Sequence, residues 1–444
     1  MKFSIITFGC QMNVADSNWL CLALRKRGYE FTSNPDEADF VLFNTCSVRQ
    51  KPEQKVYSEV GRLRSIWRKN ANFFVGIGGC VAQQVGMGFF ERFPYVRLVF
   101  GTDGIYMVPD VIGQLIVYPQ KKISLISFEE FYPEREKVFP EKAPASVFIN
   151  IMQGCDNFCA YCIVPFTRGR QKSRTKDAVL SECIEFVERG AKEIVLLGQN
   201  VNSYGQDKFG DGTSFVELLK DVAKIKGLKR LRFTTSHPKD LSKELIYLFG
   251  ELDVLCPHLH LPLQVGSNKI LKKMGRKYTR EKYLSLVEQL RKIRPDMAFS
   301  TDLIVGFPGE TRDDFEQTLD MLRLIEFENA YSFKYSDRPG TRAEKMANKV
   351  PEPEKQERLV ELQELQEKIT QKKYMARVGE KEEILLENVK FDSKLENRTF
   401  RGRDLWNRVV NVQIDEQTLA CELVHVKIVE AKKHSLLGKV LNIL

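Results

Sequence analysis

The stretch Gly154-Cys155-Asp156-Asn157-Phe158-Cys159-Ala160-Tyr161-Cys162 places three cysteines on one short segment, with the spacing C-x3-C-x2-C. Thiolates are soft ligands, and a single loop can wrap three of them around one iron-sulfur cube or one zinc ion. A structural zinc site usually takes its four ligands from two short pairs, and no second Cys or His pair stands nearby in the sequence. The motif therefore favours a [4Fe-4S] cube with one open iron over a zinc knuckle.

This spacing, with Tyr161 directly before the last cysteine, resembles the motif of the radical S-adenosylmethionine (SAM) enzymes. The resemblance implies that the amino and carboxylate groups of SAM chelate the open iron. It also implies that an electron from the reduced cube splits SAM and releases a 5′-deoxyadenosyl radical. The motif alone is a hypothesis that needs the surrounding sequence for support.

The composition is that of a large globular protein. Its 444 residues exceed one ordinary core, so we expect two or three domains. Lys plus Arg number 68 against 59 for Asp plus Glu, and this formal charge of +9 favours a polyanionic partner no more than it favours a solvated basic surface. Ten cysteines are too sparse for a disulfide scaffold. With no signal peptide pattern and no apolar run of roughly 20 residues, we expect a soluble cytoplasmic protein without membrane contact.

Three apolar, β-rich runs near the N-terminus each end at a cysteine. Helix-length segments at Ser17–Arg27 and Gln54–Lys69 lie between them, so the pattern predicts a parallel sheet. Because the carboxyl ends of parallel strands share one rim, the three thiols are expected to meet there. The runs are Lys2–Gly9 before Cys10, Phe40–Thr45 before Cys46, and Phe73–Gly79 before Cys80.

Buried packing cysteines are the alternative interpretation of these thiols, since free Cys behaves as a small apolar side chain. Their repetition at equivalent positions favours a second cube with three ligands, whose open iron can hold an exogenous sulfur species. The remaining cysteines have no partners in their sequence context and are interpreted as packing residues: Cys21, Cys183, Cys256 and Cys421.

A charged, proline-bearing segment at Glu130–Pro144 predicts a linker. Beyond it, strand-like and helical runs alternate, which predicts a partial relative of the eightfold β/α barrel with chemistry at the strand carboxyl ends. The predicted strands are Val147–Met152, Glu193–Leu197, Arg230–Thr235, His258–Leu263, Ala298–Val305 and Ala330–Tyr335. The predicted helices are Asp177–Arg189, Phe215–Lys226, Asp240–Phe249, Arg280–Arg291 and Arg312–Ile325.

Polar and glycine-rich residues follow these strands and are candidates for binding the amino acid, ribose and adenine parts of SAM. Gly-Pro turns also close many barrel strands without any ligand. The candidate SAM contacts are Gln199, Asn200, Ser236, Gln264, Ser267 and Val305.

The histidines of this region are given no catalytic role. His237 fits a loop hydrogen-bonder as well as a catalyst. His258 and His260 alternate on a predicted strand but have no third ligand nearby, so they are interpreted as packing residues.

The C-terminal part begins with a long helical run after Pro353, with a stop at Gly379. The later sequence has period two, which predicts a small antiparallel barrel. One stretch interleaves cations with aromatic residues, and such a surface can neutralise phosphates and stack bases, although a plain solvated hairpin would look the same. The candidate RNA contacts are Arg398, Arg401, Arg403, Trp406 and Arg408.

Together these pieces resemble the radical SAM methylthiotransferases of the MiaB type over essentially the whole chain. The fold class expected is α/β multidomain: an N-terminal Rossmann-like parallel sheet (1–118), a linker (119–140), a partial (β/α)6 radical SAM barrel (141–372) and a small antiparallel β-barrel of the TRAM type, which is OB-like (373–437). The motifs that carry the resemblance are Thr7–Asn13, Asn44–Arg49, Gly79–Gln83, Gln153–Cys155, Pro165–Gly169, Thr234–Pro238 and Tyr331–Phe333.

The resemblance implies two [4Fe-4S] clusters. Cys10, Cys46 and Cys80 would hold an auxiliary cluster, while the cluster that binds SAM would be held by Cys155, Cys159 and Cys162. The implied reaction puts a methylthio group on carbon 2 of an isopentenylated adenosine beside the tRNA anticodon, using one SAM to methylate a sulfur and a second to supply the radical. An aromatic C–H bond is too unreactive for side-chain acid–base chemistry, so a cofactor must supply the reactive species. The bases of a single-stranded loop can be splayed out and inserted into a pocket of the enzyme.

Related enzymes modify threonylcarbamoyladenosine in tRNA or an aspartate of a ribosomal protein, and the cluster ligands do not distinguish these substrates. The sequence Gln11-Met12-Asn13 after Cys10 resembles the isopentenyl branch. A different class, a non-catalytic iron-sulfur protein that binds RNA or senses redox state, stays open. The expected partners are the tRNA anticodon loop, SAM and a low-potential electron donor such as flavodoxin or ferredoxin, acting on a monomer.

Overall fold

The N-terminal domain is built on a parallel sheet. The computed structural model describes residues 1–47, 50–208, 210–390, 399–413 and 423–443. Within these ranges the sheet has six strands in the order β2-β1-β3-β4-β5-β6. The strands are β1 Lys2–Phe8, β2 Glu30–Phe31, β3 Phe40–Thr45, β4 Phe74–Gly79, β5 Val96–Phe100 and β6 Ile123–Leu125. The helices are α1 Gln11–Lys26, α2 Gln50–Arg62, α3 Arg64–Lys69, α4 Cys80–Val85, α5 Gly88–Arg92 and α6 Val108–Val117.

The three strands predicted to end at cysteines are neighbours in this sheet. β3 lies between β1 and β4 and pairs in parallel with both, so the three cysteine-bearing ends share one rim as predicted. Every residue of β3 and β4 is buried, because one apolar cluster around Phe43 covers one face and another around Phe40 covers the other. Burial on both faces explains why these strands are continuous apolar runs without alternation.

Two boundaries of this domain differ from the sequence-based expectation. α1 begins at Gln11, well before the predicted Ser17, because Cys10 and Asn13 form a reciprocal cap at its first turn. β6 pairs with β5, so the sheet extends into the predicted linker 119–140.

The central domain consists of two parallel sheets of three strands, β11-β10-β7 and β12-β13-β14, which an isolated bridge between Leu231 and Leu255 connects. This arrangement is the partial barrel that the sequence predicts. The strands are β7 Ser146–Asn150, β8 Met152–Gln153, β9 Lys172–Ser173, β10 Glu193–Leu197, β11 Arg230–Thr234, β12 His258–His260, β13 Ala298–Val305 and β14 Asn329–Lys334. The helices are α7 Val164–Thr167, α8 Lys176–Glu188, α9 Phe215–Ala223, α10 Lys243–Glu251, α11 Asn268–Met274, α12 Arg280–Ile293, α13 Arg312–Ile325 and α14 Glu352–Met375.

The C-terminal domain is a closed five-stranded barrel in the order β15-β16-β17-β19-β18. β17 and β19 pair in parallel, whereas the other pairings are antiparallel as predicted. Alternating burial does not encode strand direction, so the sequence could not predict the parallel closure. The strands are β15 Lys381–Lys390, β16 Thr399–Arg403, β17 Val409–Gln413, β18 Leu423–Ala431 and β19 Leu436–Ile443.

The N-terminal domain docks on the open side of the central barrel through helix α1. Met12 packs against Val195 and Leu197 of β10. Asp16 accepts hydrogen bonds from Asn150 of β7 at 3.0 Å and from Arg135 of the connecting segment at 2.7 Å. The start of α1, with Cys10, therefore lies next to the carboxyl ends of the barrel strands. None of the described helices is long and apolar enough to cross a membrane.

Candidate active site

The first thiol group consists of Cys10, Cys46 and Cys80, which the structure brings together at the sheet rim. The hydrogen bond from Cys46 lowers the pKa of Cys10 to about 6, and a second one from Cys46 lowers the pKa of Cys80 to about 5. The same contacts with Cys10 and Cys80 raise the pKa of Cys46, because its single thiol proton is shared between the two neighbouring sulfurs. Two of the three sulfurs are thus set up as thiolates, which is the form that binds metal.

Glycines at the strand ends allow these thiols to approach one another. A Cβ on Gly9 would lie 2.3 Å from Asn13 Oδ1 and 2.9 Å from the Cys46 Cβ. Gly79 has a φ of +87°, and a Cβ there would lie 2.3 Å from the Thr45 carbonyl oxygen. Any larger residue would push the strand ends apart and separate the thiols.

The second thiol group, Cys155, Cys159 and Cys162, lies on the loop that follows β8. Backbone hydrogen bonds hold this loop at both sides: the Gly154 amide donates to Gln199 Oε1 at 2.7 Å, and the Ala160 amide donates to the Met274 carbonyl at 2.7 Å. Burial raises the pKa of Cys162 to about 12 and also raises that of Cys155. These thiols therefore depend on a metal to become thiolates near neutral pH.

Polar side chains donate to the sulfurs of this loop. Arg276 Nη1 lies 3.6 Å from Cys159 Sγ, and Asn157 Nδ2 lies 3.5 Å from Cys155 Sγ. Hydrogen bonds to ligand sulfurs are one of the means by which a protein sets a cluster's reduction potential. Neither donor was assigned a role from the sequence, because Arg276 is distant in the chain and Asn157 lies between the ligands.

The donor set fits cubes rather than single ions. Among the residues that the structure describes, no three or more His, Cys, Asp or Glu side chains converge so as to hold one metal ion. In a [4Fe-4S] cube each thiolate binds a different iron at a separate corner, so its ligands need not converge on one point. Two sets of three thiols, each without a fourth protein ligand in the described chain, fit two such cubes with one open iron apiece. This ligation remains a prediction.

A cavity of about 920 Å³ lies beside Cys159 and Cys162. Its rim carries the cations Lys272, Lys277 and Arg342, together with the inner Arg276. Two aromatic residues of the rim, Phe158 and Phe166, are 41% and 49% exposed. The mouth beside this thiol loop is therefore positively charged and flanked by exposed rings.

The structure divides the predicted SAM contacts into two sets. Three of them are committed to the protein itself: Gln199 holds Gly154 and also approaches Met12 Sδ at 2.5 Å, Ser267 caps α11 and donates to Asp314 at 2.7 Å, and Val305 is buried in the central core. Intramolecular partners occupy the side chains of these three residues, and their contact with SAM stays a prediction.

The second set keeps open polar atoms. Ser236 Oγ and Asn200 Oδ1 are buried and have no hydrogen-bond partner, and Gln264 is buried with a φ of +71°. Two further buried groups without partners, Thr235 Oγ1 and the Asn202 amide, follow the same strands β11 and β10. The sequence analysis named neither Thr235 nor Asn202 as a SAM contact, although Thr235 stands in the motif Thr234–Pro238. Orphaned buried polar atoms at these strand ends fit the hydroxyl, amino and carboxylate groups of SAM.

Two of the five predicted RNA contacts of the C-terminal barrel are engaged in docking. Arg408 pairs with Glu328 at 3.0 Å, and Trp406 Nε1 donates to the Asp296 carbonyl at 2.8 Å. Arg403 pairs with Glu387 at 3.0 Å. The hairpin faces the central domain, so Trp406 and Arg408 have protein partners there; RNA binding by them stays a prediction that these contacts do not favour. Arg401 is half-buried on β16, and Arg398 lies outside the described residues, as does Cys421.

The histidines take part in hydrogen bonds as the sequence analysis allowed. Burial lowers the pKa of His237 to about 2, and its Nδ1 accepts from the Lys239 amide at 3.2 Å. Ser300 Oγ lies 3.1 Å from His258 Nε2 and 3.0 Å from His260 Nδ1. His237 accepts a hydrogen bond within its loop, and His258 and His260 are hydrogen-bonded to Ser300 of β13.

Comparison with known proteins places this site in a family. A family model described as the radical SAM superfamily matches residues 149–322, and one described as the uncharacterized protein family UPF0004 matches residues 2–101. A relative from Nitratidesulfovibrio vulgaris named tRNA-2-methylthio-N(6)-dimethylallyladenosine synthase is 54% identical over 98% of this chain and 98% of its own. The chain belongs to this synthase family. A synthase of the same name from Lawsonia intracellularis is 50% identical over 100% of this chain and 99% of its own.

Solved structures agree on the fold of these synthases. The radical SAM methyltransferase TsrM from Kitasatospora setae aligns with a TM-score of 0.55 at 13% identity, covering 77% of this chain and 74% of that one. The cobalamin-dependent radical enzyme OxsB aligns with a TM-score of 0.52 at 15% identity, covering 83% of this chain and 56% of that one. At such identities the likeness concerns architecture. Membership in the synthase family makes the chain a radical SAM enzyme that uses SAM and [4Fe-4S] clusters.

Proposed function

We propose that this protein transfers a methylthio group to carbon 2 of N6-dimethylallyladenosine beside the anticodon of tRNA. The observation that supports it is the placement of two separate thiol groups at one barrel opening, with the Cys10 group carried there by the start of α1. The relatives whose names specify this reaction cover the whole chain. One active site with two open-iron cubes meets the two demands of the reaction, a radical source and a sulfur donor.

The proposed ligands divide the chemistry between the two domains. When bound, the clusters and SAM supply the radical and the methylated sulfur that no side chain can provide. Cys155, Cys159 and Cys162 would hold the SAM cluster, and the Cys10 group the auxiliary one. Arg276 donates to Cys159 and Asn157 donates to Cys155 in the second thiol group, and both would stabilise the negative charge of these sulfurs as cluster ligands.

SAM would lie over the carboxyl ends of β10 and β11. The orphaned atoms of Ser236, Thr235, Asn200 and Asn202 are gathered there, and their desolvation is costly unless a ligand completes their hydrogen bonds. Gln199 acts one step away by fixing the backbone of Gly154 at the start of the cysteine loop.

The tRNA loop would enter across the mouth beside Cys159 and Cys162. Lys272, Lys277 and Arg342 can neutralise phosphates at the rim, while Phe158 and Phe166 offer exposed faces for stacking unpaired bases. We favour this surface for binding RNA over the barrel hairpin, which the sequence analysis had proposed. Arg401 and Arg398 remain proposed as additional contacts from the C-terminal domain.

Mass spectrometry of tRNA nucleosides from a deletion strain tests the proposal. The expected result is loss of the 2-methylthio form, accumulation of dimethylallyladenosine, and rescue by the wild-type gene. Unchanged methylthioadenosine would exclude this function. Loss of a methylthio group from threonylcarbamoyladenosine, or from a ribosomal-protein aspartate, would instead identify one of the alternative substrates.

The non-catalytic alternative has its own test. Reconstituted, reduced protein incubated with SAM is expected to release 5′-deoxyadenosine, whereas an iron-sulfur protein that only binds RNA or senses redox state would release none. We further propose that the enzyme acts as a cytoplasmic monomer and receives electrons from a flavodoxin or ferredoxin. Absence of turnover with either donor under conditions where dithionite supports it would exclude both.

A further inference from the structure

Arg168 is a buried arginine whose terminal nitrogens make no hydrogen bond of normal geometry. The residue follows α7, and its backbone amide donates to the Val164 carbonyl at 2.7 Å. Its side chain is 3% exposed, and both Nη1 and Nη2 are buried without such a bond. Buried polar groups are almost always satisfied, and a buried charge without a partner is especially costly.

The guanidinium faces the first thiol group. It lies within hydrogen-bonding reach of the Cys80 sulfur, and its positive charge also acts on Cys10 and Cys46. Asp16, a carboxylate that acts on it, already accepts from Arg135 at 2.7 Å and Asn150 at 3.0 Å. The unused donors of Arg168 are therefore directed to the space around the three thiols.

The position is held by both domains. Arg168 belongs to the segment that leaves the second thiol loop, and its neighbour Thr167 accepts at its carbonyl a hydrogen bond of 3.3 Å from Thr102 of the N-terminal domain. Arg168 is thus a residue of the radical SAM domain that reaches into the rim of the other domain.

We infer that Arg168 binds the small sulfur anion (hydrosulfide, persulfide or methanethiolate) that takes the fourth position beside Cys10, Cys46 and Cys80. This inference rests on the proposed function, which requires a sulfur donor at that site. A guanidinium is weakly hydrated and offers two parallel donors, so it suits a large soft anion better than an ammonium does. Hydrogen bonds to an anion are also stronger than those to a neutral thioether. The guanidinium would therefore hold the anionic sulfur donor and release the methylthio group once it has become a thioether of the product.

The test compares holoenzymes of R168Q and R168K with wild type, reconstituted anaerobically. Methanethiolate is titrated against each protein, and its binding is followed through the electron paramagnetic resonance spectrum of the reduced auxiliary cluster. Because hydrogen bonds to charged groups contribute about 1.5–3 kcal/mol, we expect R168Q to bind methanethiolate roughly tenfold to a hundredfold more weakly. R168K keeps the positive charge but loses the two parallel N–H donors of the guanidinium, so we expect an intermediate affinity for methanethiolate.

The control is R97Q. Arg97 is also buried, but Lys121 and Tyr118 carbonyls satisfy its guanidinium, so the change is expected to lower stability and leave methanethiolate affinity unchanged. Wild-type affinity in R168Q with both clusters present would overturn the inference. Loss of the auxiliary cluster from both Arg168 variants would also overturn it, in favour of a role in holding the cube. Failure of the wild-type enzyme to modify tRNA would reject the proposed function without affecting this ranking of affinities.

Discussion

Replacing Arg408 by alanine is expected to destabilise the contact between the C-terminal barrel and the central domain, and not to weaken RNA binding directly. Arg408 Nε lies 3.0 Å from Glu328 Oε2, Nη2 lies 3.1 Å from Glu328 Oε1, and Nη1 lies 3.2 Å from Asp404. Both side chains of the Arg408–Glu328 pair are 8% exposed. Removing one partner of such a buried pair costs about 3–5 kcal/mol.

The lower end of that range is expected here. Glu328 keeps Lys373 at 3.2 Å, so R408A does not leave the Glu328 carboxylate entirely unpaired. We therefore expect R408A to lower the free energy of unfolding by about 3 kcal/mol in the transition that disrupts the barrel contact. The assay is guanidinium unfolding followed by tryptophan fluorescence, since the Trp406 ring stacks on Arg408 in the same contact.

The control is R323A, which removes an ion pair that is about half exposed on both sides. Such surface pairs contribute about 0–1 kcal/mol, so little change is expected. Affinity for an anticodon stem-loop, measured well below the unfolding transition, should stay within about twofold of wild type for R408A. Unchanged stability together with a tenfold loss of RNA affinity would refute the docking role and restore Arg408 as an RNA contact.

Three further predictions follow from the site and the barrel. C10A is expected to leave reductive SAM cleavage largely intact while abolishing sulfur insertion, with iron falling from about eight to about four per chain; equal loss of both activities would show that the two thiol groups are not separable. K272E and K277E are each expected to weaken tRNA binding and to reduce the slope of log affinity against log salt concentration by about one. An unchanged slope would show that the RNA binds elsewhere. Burial, then the Asp404 carboxylate, raises the pKa of Glu382 to about 7 from the usual 4.5, so the folded state binds more protons than the unfolded one between these values and stability falls as pH rises through that window. E382Q, which mimics the protonated acid, should flatten this dependence in calorimetric scans at several pH values; an equally steep profile would assign it to another group.

The sequence predicted those parts of the fold that depend on local pattern. Strands β3 and β10 have the predicted bounds, because buried parallel strands are largely apolar runs between turn signals. The meeting of Cys10, Cys46 and Cys80 followed from the rule that parallel strand ends share a rim. These inferences needed no knowledge of which distant segments touch.

The features that the sequence did not reveal depend on contacts between segments far apart in the chain. Arg408 and Trp406 have the composition of an RNA surface, but Glu328 and Asp296 of the central domain are their partners. Similarly, nothing local to Gln199 shows that its amide holds Gly154, and nothing local to Arg168 shows that Asp16 is already occupied. Partner choice among polar side chains is decided by tertiary structure, which periodicity does not encode.

The packing of α1 against the barrel has a consequence for biosynthesis. Met12 and Asp16 leave the ribosome long before Val195 and Asn150, the residues that cover them. Until the chain has been made to that point, the nascent N-terminal sheet carries an unprotected apolar strip and an unpaired carboxylate. The first thiol group lies wholly in the N-terminal domain, but Arg168, which we propose binds the sulfur donor there, is synthesised later with the central domain. The proposed binding position therefore becomes complete only after the N-terminal sheet has left the ribosome.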